Sequence, residues 1–242
     1  MKRRLFVASL TASGLVACGP VKSQLTTSLH DTLAGAENLN HAVLGTRGMA
    51  HLYSEADIDR DFRVNGLNTP TDTRYATAAR DTFGGYRLVV DGLADKPQAF
   101  TLAELRALPL QTQITRHDCV EGWSAIGKWR GVPLATVLAM VQHQAGARYV
   151  FFHCFDKDDQ GTEYYESLDL HEAAHPQTLL SLDLNDRALD YDHGAPVRLR
   201  VPTQLGYKSA KWVRRIELAA AFPAQSKGGY WEDQGYEWYA GI

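Results

Sequence analysis

The stretch Thr115-Arg116-His117-Asp118-Cys119-Val120-Glu121-Gly122-Trp123-Ser124 sets one cysteine among an arginine, a histidine, two carboxylates and two hydroxyls. A thiolate is both a nucleophile and a soft metal ligand, and cationic neighbours such as Arg116 and His117 favour it over the thiol. A lone cysteine is otherwise an inert buried side chain, a reading that the polar company of Cys119 weakens. A second group lies in Val201–Trp212, where Gly206 precedes Lys208-Ser209-Ala210-Lys211. Two ammonium groups, a hydroxyl and backbone N–H groups in one short loop can hold a phosphate by charge-assisted hydrogen bonds. Taken alone, the same loop reads as a solvated basic turn. Arg198, ahead of it, adds a fork-shaped donor suited to phosphate. His117, Cys119, His153 and Cys154 are also zinc-ligand types. Their His-x-Cys and His-Cys spacings are not the usual zinc pairs, and neighbours on a strand point to opposite faces. The two histidines then read as core or hydrogen-bonding residues. No Gly-x-Gly-x-x-Gly, Walker loop or Gly-x-Ser-x-Gly occurs, so nucleotide binding and serine hydrolysis have no support.

These groups need elements to position them. Tyr86–Gly92 reads as a strand closed by a turn. Thr101-Leu102-Ala103-Glu104 is a capping box opening a short helix through Ala107. Gln111–His117 is a strand, with β-branched Ile114 and Thr115. Pro133–Val141 is a helix with Leu134, Val137, Leu138 and Val141 on one face. Tyr149–Cys154 is a buried strand; Val197–Val201 alternates, as does part of Lys211–Leu218. Short strands and helices without a regular βαβ rhythm predict an α+β fold. Five aromatics crowd the tail from Gly228 to Ile242, and their expected role is to pack back on the domain, since an exposed patch of that size would be an association site.

The whole chain bounds the rest. It has 242 residues, 45% hydrophobic and 22% charged, as an ordinary globular protein has. Its net charge of −3 falls to −6 (22 basic against 28 acidic residues) if Lys2, Arg3 and Arg4 leave with a leader. That balance argues against nucleic-acid binding, which rests on phosphate neutralisation. No apolar run is long enough to cross a bilayer as a helix. Residues 1–17 read as a secretory signal, with Arg3-Arg4 resembling a twin-arginine signal and Leu15-Val16-Ala17-Cys18 a lipobox that would lipidate Cys18. Residues 18–56 read as a tether with a short helix near Asp31–Leu44, and residues 57–242 as the folded body. Periplasmic location, either lipid-anchored or soluble, is the expectation. There Cys119 and Cys154 pair as a disulfide unless at least one thiolate is otherwise engaged.

Cys119-Val120-Glu121-Gly122-Trp123-Ser124-Ala125-Ile126-Gly127-Lys128-Trp129-Arg130-Gly131-Val132-Pro133-Leu134 resembles the core motif of molybdopterin-dependent oxidoreductases of the sulfite oxidase superfamily. The match is nearest the branch that contains periplasmic methionine sulfoxide reductase catalytic subunits. His175-Pro176-Gln177, His193–Arg200, Gly206–Lys211 and Gly229-Tyr230-Trp231-Glu232 resemble later parts of the pattern, and the likeness runs from about Phe62 to the end. The resemblance implies the sulfite oxidase-type fold and a molybdenum–molybdopterin cofactor, with Cys119 as the protein ligand of the metal. It carries His193, Arg198, Lys208, Ser209 and Lys211 over as cofactor-binding residues, the last three in the loop that holds the pterin phosphate. Cys154 falls where the branch has a threonine that contacts the cofactor, as an extra soft sulfur or a small polar filler; Asn65 and Asn68 fall in the region of an early cofactor-binding asparagine. Departures stand at Gly122, where the branch has alanine, and at His193, where it has asparagine. Glu121-Gly122-Trp123 replaces the arginine-rich run of true sulfite oxidases, which argues against sulfite. The implied reaction is two-electron oxygen-atom transfer on a small-molecule substrate, such as reduction of a sulfoxide or N-oxide. No Cys-x-x-Cys-His haem motif occurs, so electrons would pass to or from a separate electron-transfer protein or membrane haem subunit. A metal-free binding or assembly lipoprotein of the same fold is the non-enzyme alternative.

Overall fold

The computed structural model describes residues 48–66 and 70–242, together with Leu39. The leader, Cys18, Asn68 and the expected helix near Asp31–Leu44, apart from helical Leu39, lie outside the described residues.

In chain order the elements are α1 (Thr73–Arg80), β1 (Arg87–Gly92), β2 (Gln98–Thr101), α2 (Leu102–Ala107), β3 (Gln111–Cys119), β4 (Trp123–Pro133), α3 (Leu134–Val141), β5 (Tyr149–Lys157), β6 (Glu163–Asp169), α4 (Leu170–Ala173), β7 (Leu179–Leu184), β8 (Arg187–Ala188), β9 (Arg198–Arg200), β10 (Val213–Ala219) and α5 (Tyr230–Asp233). The fold is α+β: two five-stranded sheets and a few short helices. One sheet runs β2-β1-β10-β5-β6; the other runs β3-β4-β7-β8, with β9 also paired to β7. Only β1 with β10 is parallel among the paired strands described.

Local chemistry accounts for the element ends. Thr101 accepts from the Glu104 backbone N–H at 3.0 Å, and Glu104 reaches back to the Thr101 backbone at 2.7 Å, so the capping box forms. Pro133 caps α3 rather than opening its first turn, and Gln142 ends that helix in the left-handed region. The apolar face of α3 packs fully into the core, as its spacing predicts. Leu88 and Val90 of β1 point inward, together with Val150 and Phe152 of β5 and Ile216 and Leu218 of β10.

Two strands depart from simple patterning. The inward face of β3 carries Gln113, Thr115 and His117, all buried, while Ile114 sits on the partly open face. All three residues of β9 are buried, both arginines included. The polar inside of β3 and the buried arginines of β9 face one another: the Arg200 guanidinium donates to Thr115 Oγ1 at 3.2 Å and to the Arg116 carbonyl at 2.6 Å. Buried polar groups persist where they are hydrogen-bonded, so this seam interrupts the apolar core for a reason other than packing.

The chain attaches to the body ahead of Asp57. Ala50 and Gln177 exchange two hydrogen bonds at 2.7 and 3.0 Å, and the Tyr53 N–H donates to the Ile114 carbonyl at 2.9 Å. The tail packs back on the domain: Trp238 Nε1 donates to Ser167 Oγ at 2.9 Å, and the Leu205 N–H to the Ala240 carbonyl at 2.9 Å. No helix among the described residues is long and apolar enough to cross a membrane.

Candidate active site

Cys119 ends β3 at the tip of the β3–β4 hairpin, where the Gly122 N–H closes the turn onto the Cys119 carbonyl at 3.1 Å. Gly122 has φ +85°, a conformation that side chains with a Cβ rarely adopt. This turn therefore has a local reason to carry glycine. The segment after β9 crosses from the second sheet to the first, and a cleft of about 460 Å³ lies along that crossing. Asn65, Cys119, Asp156, Tyr164, Ser209 and Lys211 all contribute to its wall.

Cys119 is a partly exposed free thiol, and Cys154 is also free, so the disulfide alternative is not formed. Burial raises the Cys119 thiol above its usual value, against the lowering effect of the backbone at Glu121. Arg116 does not activate it, because that guanidinium pairs with Asp118 at 2.9 Å. His117 does not either: burial, then the charges of Arg198, Arg200 and Lys211, push it well below the usual histidine value and keep it neutral. The expectation of a thiolate favoured by Arg116 and His117 is thus corrected. A thiol of raised pKa suits a ligand that a metal deprotonates on binding, not a free nucleophile.

Beside it lies a buried group of basic side chains. Arg198 and Arg200 are both fully buried, their guanidinium carbons 5.1 and 5.3 Å from the ring centre of Trp129. Arg198 donates to Asn65 Oδ1 at 3.0 Å and to the His193 carbonyl at 3.2 Å. Arg200 also reaches Ser209 Oγ at 3.4 Å. These partners are carbonyl, amide and hydroxyl oxygens, none of them a carboxylate. Nε of each arginine and both ring nitrogens of His117 are buried without a hydrogen-bond partner. Burial lowers Arg198 to about 10 and, with the neighbouring charge of Arg198, Arg200 to about 9. Lys211 donates to the carbonyls of Asn65 and Asp192 at 2.7 and 3.0 Å, and burial, then Arg198, lowers it to about 7. The His117 ring lies against Gly206, where an added Cβ would sit 2.4 Å from its Nε2. The two guanidinium groups, held out of water with no carboxylate among their hydrogen-bond acceptors, are costly. An anion bound in the cleft beside them would offset that cost.

Glu121 fixes the floor next to Cys119. It accepts from Trp123 Nε1 at 2.8 Å and from the Gly66 N–H at 3.3 Å, and the Trp123 hydrogen bond holds its carboxyl below the usual range. The opposite wall holds Asp156, buried, with Oδ1 unpartnered; burial pushes its carboxyl up to about 7.

Asn65, Cys119, Arg198, Ser209 and Lys211 are thus brought together, and three other expected site residues stand elsewhere. The Lys208 ammonium is buried between Glu166 and Glu232, 2.6 Å from the latter, so this lysine is a structural ion pair and not a phosphate ligand. Both carboxylates raise it despite burial, and burial raises Glu166 well above its usual value despite Lys208. Cys154 is fully buried behind the wall, its Sγ 3.9 Å from the Phe152 carbonyl. Asp156, two positions further along β5, lines the cleft and Cys154 does not. The His193 ring is turned away from the cleft, with Nδ1 2.8 Å from Asp190 and Nε2 2.8 Å from the Phe62 carbonyl; only its own carbonyl serves the site, through Arg198. His153 is engaged with Glu217 at 2.9 Å, and no group of three His, Cys, Asp or Glu side chains that could hold a metal occurs among the described residues. The zinc alternative thus has no ligand set there. Arg200 and Asp156 were missed. An aspartate interrupting the apolar run of β5, and Arg-x-Arg on a three-residue strand, were the available signals.

Comparison with known proteins agrees with this geometry. Residues 75–230 match the family described as oxidoreductase molybdopterin binding domain. A protein of Azospira oryzae, provisionally named protein-methionine-sulfoxide reductase subunit YedZ1, is 40% identical over 247 residues, covering 99% of this chain and 87% of the relative. The protein-methionine-sulfoxide reductase catalytic subunits MsrP of Ralstonia nicotianae and Campylobacter jejuni are 34% and 31% identical, over 72% and 74% of this chain. The matches span only 55% and 64% of those two relatives. Among solved structures, the sulfane dehydrogenase SoxCD of Paracoccus pantotrophus superposes with a TM-score of 0.51 at 25% identity, covering 57% of this chain and 39% of that one.

Proposed function

Because this chain belongs to the family of molybdopterin-binding oxidoreductases, with the sulfite oxidase-type fold and a molybdenum–molybdopterin cofactor, we propose that it reduces methionine sulfoxide carried in other proteins. The observation that carries this reading is one cleft holding a partly exposed cysteine beside two buried arginines whose Nε atoms lack partners. The names of the relatives supply the substrate class.

The residues present fit the cofactor. Cys119 would supply the protein sulfur to the metal, a soft donor for a metal that changes oxidation state. The unpartnered Nε atoms of Arg198 and Arg200, with Ser209, Lys211 and His117, would take the phosphate end. The bound cofactor supplies the two-electron redox chemistry that side chains lack. Asn65 positions Arg198 and Lys211 through its amide oxygen and its carbonyl. Glu121 ties the Cys119 turn to the Asn65–Gly66 loop, so ligand and phosphate site keep one spacing. Trp129 stacks beneath both arginines and shields them from water. The reaction consumes two electrons and two protons per sulfoxide and yields the thioether and water. A separate haem or quinol-linked protein would donate the electrons.

The leader supports a periplasmic site of action: Arg3-Arg4 suits export of a protein folded around its cofactor, and Cys18 suits a lipid tether. The test is turnover with a reduced viologen as donor. Oxidation of the dye by a methionine sulfoxide peptide, with formation of the thioether, is expected; sulfite oxidation with no sulfoxide turnover would overturn the assignment.

A further inference from the structure

The mouth of the cleft differs in character from its floor. Val120, Trp231 and Tyr236 are 44%, 38% and 41% exposed, and all three line the cleft that contains Cys119. Trp231 and Tyr236 belong to one run of packed rings. Tyr164 packs on Tyr230 with centroids 5.5 Å apart; Tyr230–Trp231, Trp231–Tyr236 and Tyr236–Tyr207 follow, each at 5.3 Å. Hydroxyl bonds hold that run in place. Tyr164 donates to the Tyr207 carbonyl at 2.7 Å, Tyr207 to the Glu237 carbonyl at 2.6 Å and Tyr230 to Asp158 at 3.1 Å. Below it, Glu232 pairs with buried Lys208. The rings form a fixed wall whose outer faces stay open, an arrangement that binds apolar groups at little cost in ordering.

We propose that Trp231 and Tyr236, which line the cleft together with Val120, form the specificity wall for the side chain of a methionine sulfoxide residue within a polypeptide. The proposal rests on the sulfoxide reductase reading above and names the residues that choose among sulfoxides. The methyl and methylene groups flanking the sulfur lie on the aromatic faces, which leaves the sulfoxide oxygen directed inward toward the Cys119 end. Charge argues for a peptide over the free amino acid. Glu121, Asp156, Asp158 and Asp159 stand on the same cleft against Lys157 and Lys211. A free α-carboxylate would meet this excess of carboxyl groups over amino groups, whereas a peptide bond carries no charge. Dimethyl sulfoxide has the reacting group but lacks the methylene arm that would cover the wall.

The test compares kcat/KM for a peptide containing methionine sulfoxide with that for dimethyl sulfoxide, in the molybdenum-loaded protein and in Trp231→Ala, Tyr236→Ala and Trp231→Phe. Loss of one ring is expected to lower the peptide-to-dimethyl-sulfoxide ratio about tenfold, carried mainly by KM. Trp231→Phe should restore most of the ratio, and molybdenum content should match wild type throughout. Equal loss on both substrates, or an unchanged ratio, would overturn the wall while leaving the sulfoxide reductase reading intact. Wild-type protein that turns over neither substrate would overturn both.

Discussion

Replacing Asp156 by Asn should make the cofactor-free protein more stable, by an amount that grows with pH. In the wild type, burial raises this carboxyl from 3.8 to about 7. The unfolded chain releases the proton as pH passes about 4, whereas the folded chain keeps it to about 7. Stability that is present below the lower value is therefore lost progressively across this window and is constant above it. At about 1.4 kcal/mol per tenfold change in proton affinity, the full loss is about 4 kcal/mol. Asparagine does not ionise, and it fills nearly the same space. The gain of Asp156→Asn over wild type should rise from about 1 kcal/mol at pH 4.5 to about 4 kcal/mol at pH 8. Urea denaturation of both proteins at several pH values measures it, and taking the difference cancels carboxylates common to both. A gain that stays flat from pH 4.5 to 8, or a loss at pH 8, would refute the claim that an unpaired carboxyl is buried in the cleft wall.

Other outcomes follow from the same geometry. Sulfate in the millimolar range should raise the Tm of the cofactor-free protein beyond chloride of equal ionic strength, and Arg200→Gln should remove most of that rise, as a thermal scan will read. The sulfate effect should be larger at pH 6 than at pH 8, because Lys211, lowered to about 7, gains its charge in that interval. Lys208→Met should cost about 3–5 kcal/mol in urea denaturation, since it leaves Glu166 and Glu232 buried together without their cation. A cost below about 1 kcal/mol would place Lys208 outside the core ion pair.

The fold was legible wherever burial and periodicity coincide. The strand at Tyr149, the helix after Pro133 and the capping box at Thr101 all form, because apolar spacing and local hydrogen bonding there demand the same element. Cys119 and the Ser209–Lys211 loop stood out because soft sulfur and clustered cations are rare in short loops. The direction of individual side chains was not legible. Lys208 and Lys211 lie three positions apart, yet one turns into the core toward two glutamates and the other toward the Asn65 loop. Those partners sit 42, 24 and 146 positions away in the chain, and no local pattern carries them. His193 likewise spends its ring on Asp190 and Phe62 and offers the site only its carbonyl. Arg200 was hidden for the opposite reason: an arginine alternating on a strand reads as a surface residue until Thr115 and Trp129 are seen to enclose it.

The most direct measurement is metal analysis with Mo(V) EPR on wild-type protein and Cys119→Ser, both made in a molybdopterin-competent host. The wild type should carry about one molybdenum per chain and show the signal. Cys119→Ser should fold and lack it. A wild-type signal in Cys119→Ser, or zinc in place of molybdenum in the wild type, would contradict the role given to this sulfur.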